Sequence, residues 1–282
     1  MDRTSGTVTL LLLRAIPHVI IFLTFLVLWE ISIILGWIDN IMIPKPTSIF
    51  GSIFKLYVTQ GIIYEHFFIT LCEAVLGFCI GATIAITLAT ISSLSGVFKR
   101  YVIPYAVVLN VTPGIALTPV VIAWFGYGMG SKIALGAIVS FFPIFVNTLT
   151  GLTQVDEERD ELFRSLRANK YQMFFKMKLP GSLPMVFAGM KIGLTTALIG
   201  AIVAEFAQAT HGVGVLMSRF SFKLDMASSI ATLLSMTLIG LILFYFMEFL
   251  DDKTVFWRRE NRLTITSRKR KQKWLKANSL KR

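Results

Sequence analysis

The chain has 282 residues, 55% of them hydrophobic and only 16% charged, with a mean hydropathy of +0.69. Apolar content of this kind in long uninterrupted runs excludes an ordinary soluble domain and indicates a polytopic helical membrane protein. A net charge of +12 would point to nucleic acid in a soluble protein, but in a membrane protein it reports orientation, and the positions of the charges decide.

The first apolar run, residues 15–37, is interrupted only by Glu30. It is too long for a signal-peptide core and has no small-residue cleavage site after it, so it reads as a span. In the loop over 38–66, Pro44, Lys45 and Pro46 make a turn. Thr47 or Ser48 then caps a short interfacial helix with Ile49, Phe50, Ile53, Phe54 and Tyr57 on one side. The second span, 67–94, carries Gly77 and Gly81 at the spacing that lets helices approach closely. Cys72 and Cys79 lie in the same span, seven apart, and make neither a metal site nor a disulfide framework.

The third span, 101–125, has no charge but three prolines, Pro104, Pro113 and Pro119, whose unmatched carbonyls need neighbouring helices or water. The following turn, 126–132, looks superficially like a phosphate loop, but the spacing to Lys132 fails. A fourth span covers 133–152 and a fifth 185–206; the fifth is rich in small residues and ends near Glu205. After a mixed loop over 207–227, part of it able to fold back on the membrane, a sixth span covers 228–247. A strongly basic tail follows.

Between the fourth and fifth spans lies the longest charged interruption, 154–184. Acids come first (Asp156, Glu157, Glu158, Asp160, Glu161) and bases follow (Arg164, Arg167, Lys170, Lys176, Lys178). That order suits a helix dipole. Leu162, Phe163, Leu166, Tyr171, Phe174 and Phe175 give the helix one apolar face, and Pro180 and Pro184 are expected to end it.

This stretch resembles the cytoplasmic loop of binding-protein-dependent ABC importer permeases, whose pattern is Glu-Ala-Ala, three residues, Gly, nine residues, Ile, one residue, Leu-Pro. Here it stands as Glu161-Leu162-Phe163, Arg167 and Met177-Lys178-Leu179-Pro180, with the spacing kept and both alanines and the glycine replaced. Leu28-Trp29-Glu30, Thr118-Pro119, Trp124 to Gly128, Lys132, Ala204-Glu205-Phe206 and Gly212 to Leu216 extend the likeness to the nitrate/sulfonate/taurine branch. Many members of that branch carry Arg where this chain has Glu73.

The resemblance implies an all-α, six-helix permease fold of the type I ABC importers. It implies a coupling loop that docks on an ATPase subunit through Glu161, Leu162, Phe163, Arg164, Leu166, Arg167, Leu179 and Pro180. It also implies a pore of two copies, two ATPases and an extracytoplasmic binding protein in a bacterial inner membrane. The solute would be an organic or inorganic anion of the sulfonate, taurine or nitrate type; alternatives are a thiamine-precursor pyrimidine, riboflavin or an aromatic carboxylate.

Charge counting tests the orientation independently. Six spans with both termini on one side place 22 of the 28 Lys and Arg there and five on the other, with Lys191 inside the fifth span. Both termini and the loop over 153–184 are therefore expected to be cytoplasmic. The resulting organisation is a tail over 1–14, a permease domain over 15–252 and a basic tail over 253–282 that meets anionic lipid headgroups.

Ionisable residues at membrane depth are candidates by default. Glu30 reads as a bond between helices, Glu73 as a candidate near the outer end of the second span, Lys191 as a side chain snorkelling to the interface, and Glu205 as either a path residue or a helix-end contact. Thr112, Pro113, Thr195, Thr196 and Glu205 are expected to line the translocation route; the competing expectation is that they only pack helices. His18, His66 and His211 fall in separate elements, so no metal site, cofactor or nucleophile–base pair is expected, and no phosphate-loop motif supports ATP hydrolysis by the chain itself. A secondary transporter would instead show inverted repeats and midplane charges, and an intramembrane enzyme a matched catalytic cluster; neither pattern is visible.

Overall fold

A computed structural model describes residues 3–154, 157–208 and 210–257, and every regular element among them is helical. In chain order these are α1 Arg3–Ile34, α2 Pro46–Phe54, α3 Ile62–Leu94, α4 Gly96–Val111, α5 Gly114–Phe125, α6 Met129–Thr153, α7 Glu157–Ser165, α8 Lys170–Met173, α9 Leu179–Gln208, α10 Val213–Phe222 and α11 Met226–Thr254. Five segments are long and apolar enough to cross a membrane, and six if α4 and α5 count as one. Asp156 and the basic tail beyond residue 257 lie outside the described residues.

Three expectations need correction. The third span is not one straight helix: α4 and α5 meet at a bend of 102°. The cause is local, because Pro113 pushes Thr112 out of helical geometry to ψ 119°. Pro180 and Pro184 do not end the amphipathic helix, which runs unbroken from Lys170 to Ala207. A wide π turn over Phe174–Lys178 sends the Leu179 N–H back five residues to the Phe174 carbonyl, and this makes room for the ring of Pro180. Finally, α2 begins at Pro46, with Lys45 at the N-cap position making no side-chain cap bond, so neither Thr47 nor Ser48 caps it.

The chain divides into two compact units. The first comprises Met1–Phe68 with Thr210–Thr237. In it Thr47 is tied to α1: its hydroxyl donates to Glu30 at 2.8 Å and its N–H at 3.2 Å. Glu30 is thus an interhelical bond, as read from the sequence. The mixed loop after α9 contains α10, and His66 on α3 accepts from the Gly212 N–H at 2.9 Å at its start. His211 stacks on His66 with ring centroids 5.9 Å apart and reaches Glu65 at 3.3 Å, so two of the three histidines come together.

The second unit comprises Ile69–Ala209 with Leu238–Arg282. Its centre is the antiparallel pair α6–α9, which approach closely because small residues line both. A Cβ on Gly189 would lie 3.0 Å from the Pro143 carbonyl, and one on Gly200 only 3.1 Å from the Gly136 Cα. α3 joins them through Gly77 and Gly81, where added β-carbons would fall 2.8 Å from the Ile133 oxygen and 2.6 Å from the Ala137 oxygen. Phe78, Ala82, Ala85, Phe141, Ile144, Phe145, Leu194, Ala197 and Met247 form the apolar core between them.

Candidate functional site

The charged loop is built from local signals. α7 is braced by the Asp160–Arg164 pair at 2.7 Å, and Glu161 is exposed on it. It ends in a Schellman turn, with the Arg167 N–H on the Arg164 carbonyl (2.9 Å) and the Ala168 N–H on the Phe163 carbonyl (3.0 Å). Arg167 itself sits at φ 53°, the left-handed conformation that the family's glycine adopts without strain. Two residues later Asn169 and Gln172 exchange hydrogen bonds of 2.8 and 2.9 Å in a capping box that starts α8.

The apolar face of the loop is divided. Leu162, Leu166, Tyr171 and Phe175 are 56–77% exposed, with the Tyr171 and Phe175 rings parallel to within 7°. Phe163 is half-buried instead, lining a cavity of about 270 Å³ with Arg159, Lys176, Met177, Pro180, Gly181 and Trp257. Leu179 and Pro180 are half-buried at the loop's base. The outward surface is therefore Glu161, Leu162, Leu166, Tyr171 and Phe175, while Phe163 and Pro180 support it from behind. Tyr171 and Phe175 belonged to the apolar face read from the sequence, but the family motif stops short of assigning them to docking.

At the other end of α6 and α9 the sequence residues assemble differently. Glu205 is 1% exposed and accepts from the Thr70 hydroxyl at 2.5 Å. Its carboxyl meets that of Glu73, also 1% exposed, and the Lys132 ammonium, 4% exposed, lies in the field of both. Lys132 donates to the Tyr127 carbonyl and to the Gly128 carbonyl, the latter at 2.7 Å. Glu73 and Lys132 were visible only as isolated charges; the signal that links them is that Glu73 and Gly77, four apart, share one face of α3.

The remaining path candidates are not part of this cluster. Thr195 and Thr196 are half-buried and bond their own helix, to the Ile192 carbonyl at 2.9 Å and the Gly193 carbonyl at 3.0 Å. Thr112, at the bend before the exposed Pro113, does the same to Val108 at 2.8 Å. Nearby, Pro119, Ile122, Ala123, Gly126, Tyr127 and Ala207 line an open cavity of about 510 Å³. Lys191, expected to snorkel, is instead bound to Asp251 at 2.9 Å.

Residues 77–255 match the family described as the binding-protein-dependent transport system inner membrane component. The chain belongs to that family. It is 30% identical over 248 residues to the formylaminopyrimidine transport permease protein ThiX of Halalkalibacterium halodurans, covering 88% of this chain and 98% of that one. It is 30% identical over 231 residues to a putative aliphatic sulfonates transport permease protein, SsuC, of Bacillus subtilis, covering 82% and 83%. In fold it is similar to a chain of the inward-facing MetNI methionine ABC transporter, with a TM-score of 0.53 at 18% identity over 71% of this chain and 96% of that one. The protein is thus a non-catalytic, multi-pass inner-membrane subunit of an ABC importer, working with a separate ATPase and a substrate-binding protein.

Proposed function

We propose that two copies of this chain form the pore, with both termini and the coupling loop cytoplasmic and residues 15–252 as the embedded permease. The observation that carries this reading is the exposed apolar row Leu162, Leu166, Tyr171 and Phe175, set among charges on the loop that resembles the ATPase-docking loop of such permeases. Such a row faces a protein groove, since lipid would not suit its charged neighbours. The open cavity beside Tyr127 lacks one wall, and a second copy across a two-fold axis supplies it. ATP-driven closure of the ATPases would move the two loops together and open the path by rigid-body rotation. The basic tail would rest on anionic headgroups.

For the solute, the geometry favours a small neutral heterocycle of the aminopyrimidine kind. Both lysines at membrane depth are engaged, Lys132 with two carbonyls beside two acids and Lys191 with Asp251, so neither is available to an anion. A sulfonate-type anion is the second reading, favoured by the equal identity to the sulfonate permease relative. The test is ATP hydrolysis by the purified complex in nanodiscs, stimulated by its binding protein with a formylaminopyrimidine or with an alkanesulfonate. Stimulation by the pyrimidine supports the first reading and by the sulfonate the second. Purification without a stoichiometric ATPase would overturn the importer assignment.

A further inference from the structure

The buried cluster in the second unit gathers three ionisable groups. The carboxyls of Glu73 and Glu205 meet in the field of one base, Lys132, and one Glu73 oxygen, buried, has no hydrogen-bond partner among the described residues. A packing role does not need this chemistry: apolar side chains of similar volume fill such a space without the cost of removing charges from water. The direction of the Lys132 bonds explains what the charge does. Its ammonium reaches past the first turn of α6 to the carbonyls of Tyr127 and Gly128, in the turn that joins α5 to α6. Apart from Lys132, the Gly128 carbonyl is met by the Ser131 hydroxyl at 3.1 Å. Gly126, in the same turn, takes φ 76°, and Gly126 and Tyr127 line the 510 Å³ cavity.

The two acids come from different helices, Glu73 from α3 and Glu205 from α9. They come into the field of Lys132 because α3, α6 and α9 approach at three glycines below the cluster. A Cβ on Gly136 would stand 3.7 Å from the Gly77 Cα, and one on Gly200 3.1 Å from the Gly136 Cα. Lys132 is thus held from behind by two packed helices and holds the turn in front.

We propose that Lys132, buried beside Glu73 and Glu205, is a positioning residue, a latch that pins the turn over 126–128 and with it one wall of the cavity. The inference rests on the import reading only for the meaning of that cavity. Its test reads the turn directly and needs no solute, so failure of one leaves the other standing.

The experiment is hydrogen–deuterium exchange of the full-length protein in nanodiscs. Lys132→Met removes both bonds to the turn, and the amides of 126–131 should exchange about tenfold faster while those of 136–152 keep their protection. Lys132→Met alone leaves two acids buried without their base. A second variant, Lys132→Met with Glu205→Gln, removes one charge of each sign and keeps an acceptor for Thr70. The pair should fold, even where the single change does not, with the turn exchanging about tenfold faster than in the unaltered protein. An unchanged turn in either variant overturns the latch. So does a rise across 136–152 in step with the turn, and so does the loss of both proteins, because a latch on one turn does not hold the core together.

Discussion

At the loop end of the α6–α9 pair, large apolar side chains point outward among charges; at the far end, charges point inward among apolar helices. Both placements reverse the usual distribution, and each informs because it does. Leu166 at 70% and Tyr171 at 77% exposure gain nothing from water, and on the proposed reading a partner covers them. Lys132, Glu73 and Glu205, at 1–4% exposure, gather inside one chain, so this cluster is assembled without a partner. Between them lies a stretch of close glycine contacts that leaves little room for the helices to slide. On the proposed reading, a push received on the loop would be carried along α6 and α9 as a rigid displacement.

The most damaging way to break this contrast is to wedge apart the far end. Gly77→Leu would place a β-carbon 2.8 Å from the Ile133 backbone oxygen, which has no flexible end to yield. Overpacking of this kind costs about 3 kcal/mol or more, and it also drives Glu73 away from Lys132. The expected outcome is a large drop in thermal midpoint and in yield of detergent-solubilised protein. A wild-type midpoint would mean that α3 does not pack as described.

A smaller effect, confined to the other end, is expected from Leu162→Asp combined with Leu166→Asp. Both side chains are exposed, so the chain's own thermal midpoint should not move. Buried anchor residues of an interface contribute about 2 kcal/mol each, so ATPase affinity should fall roughly a thousandfold. Retained affinity for the ATPase, measured by co-elution and titration, would remove these leucines from the docking surface.

Much of the architecture was legible because apolar runs and charge order are one-dimensional signals. The six segments, the Gly77–Gly81 approach, the Glu30 bond between helices and the loop as an outward feature all follow from them. What was hidden depends on pairs far apart in sequence. Glu73, Lys132 and Glu205 sit on three different helices, and no period connects them. The pairing of Lys191 with Asp251 and of His66 with His211 was hidden for the same reason. The continuation of α9 through Pro180 failed differently: the rule that proline stops a helix is sound for regular turns, and here a π turn removes its premise. The prolines of the third segment did announce a disruption, but not its size, a bend of 102°.

The gentlest test concerns Arg167, one of the residues at which this loop departs from the pattern it resembles. Arg167 stands at φ 53°, where a β-carbon crowds the backbone at a cost of roughly 1–2 kcal/mol. The turn persists because its two hydrogen bonds, from Arg167 and Ala168, and the capping box that follows hold the chain on both sides. Arg167→Gly removes the crowding but loosens the unfolded chain, so the net gain is expected to be only about 0.5–1 kcal/mol. The thermal midpoint should rise by a few degrees or less. Binding to the ATPase separates two accounts of why arginine is present. If its exposed side chain only faces water, the glycine variant binds as before. If the guanidinium meets an acid on the ATPase, stability rises while affinity falls, and added salt weakens the unaltered protein's binding more than the variant's. A fall in thermal midpoint would show instead that the arginine side chain braces the turn from within the chain, and the strain assigned to this position would have to be withdrawn.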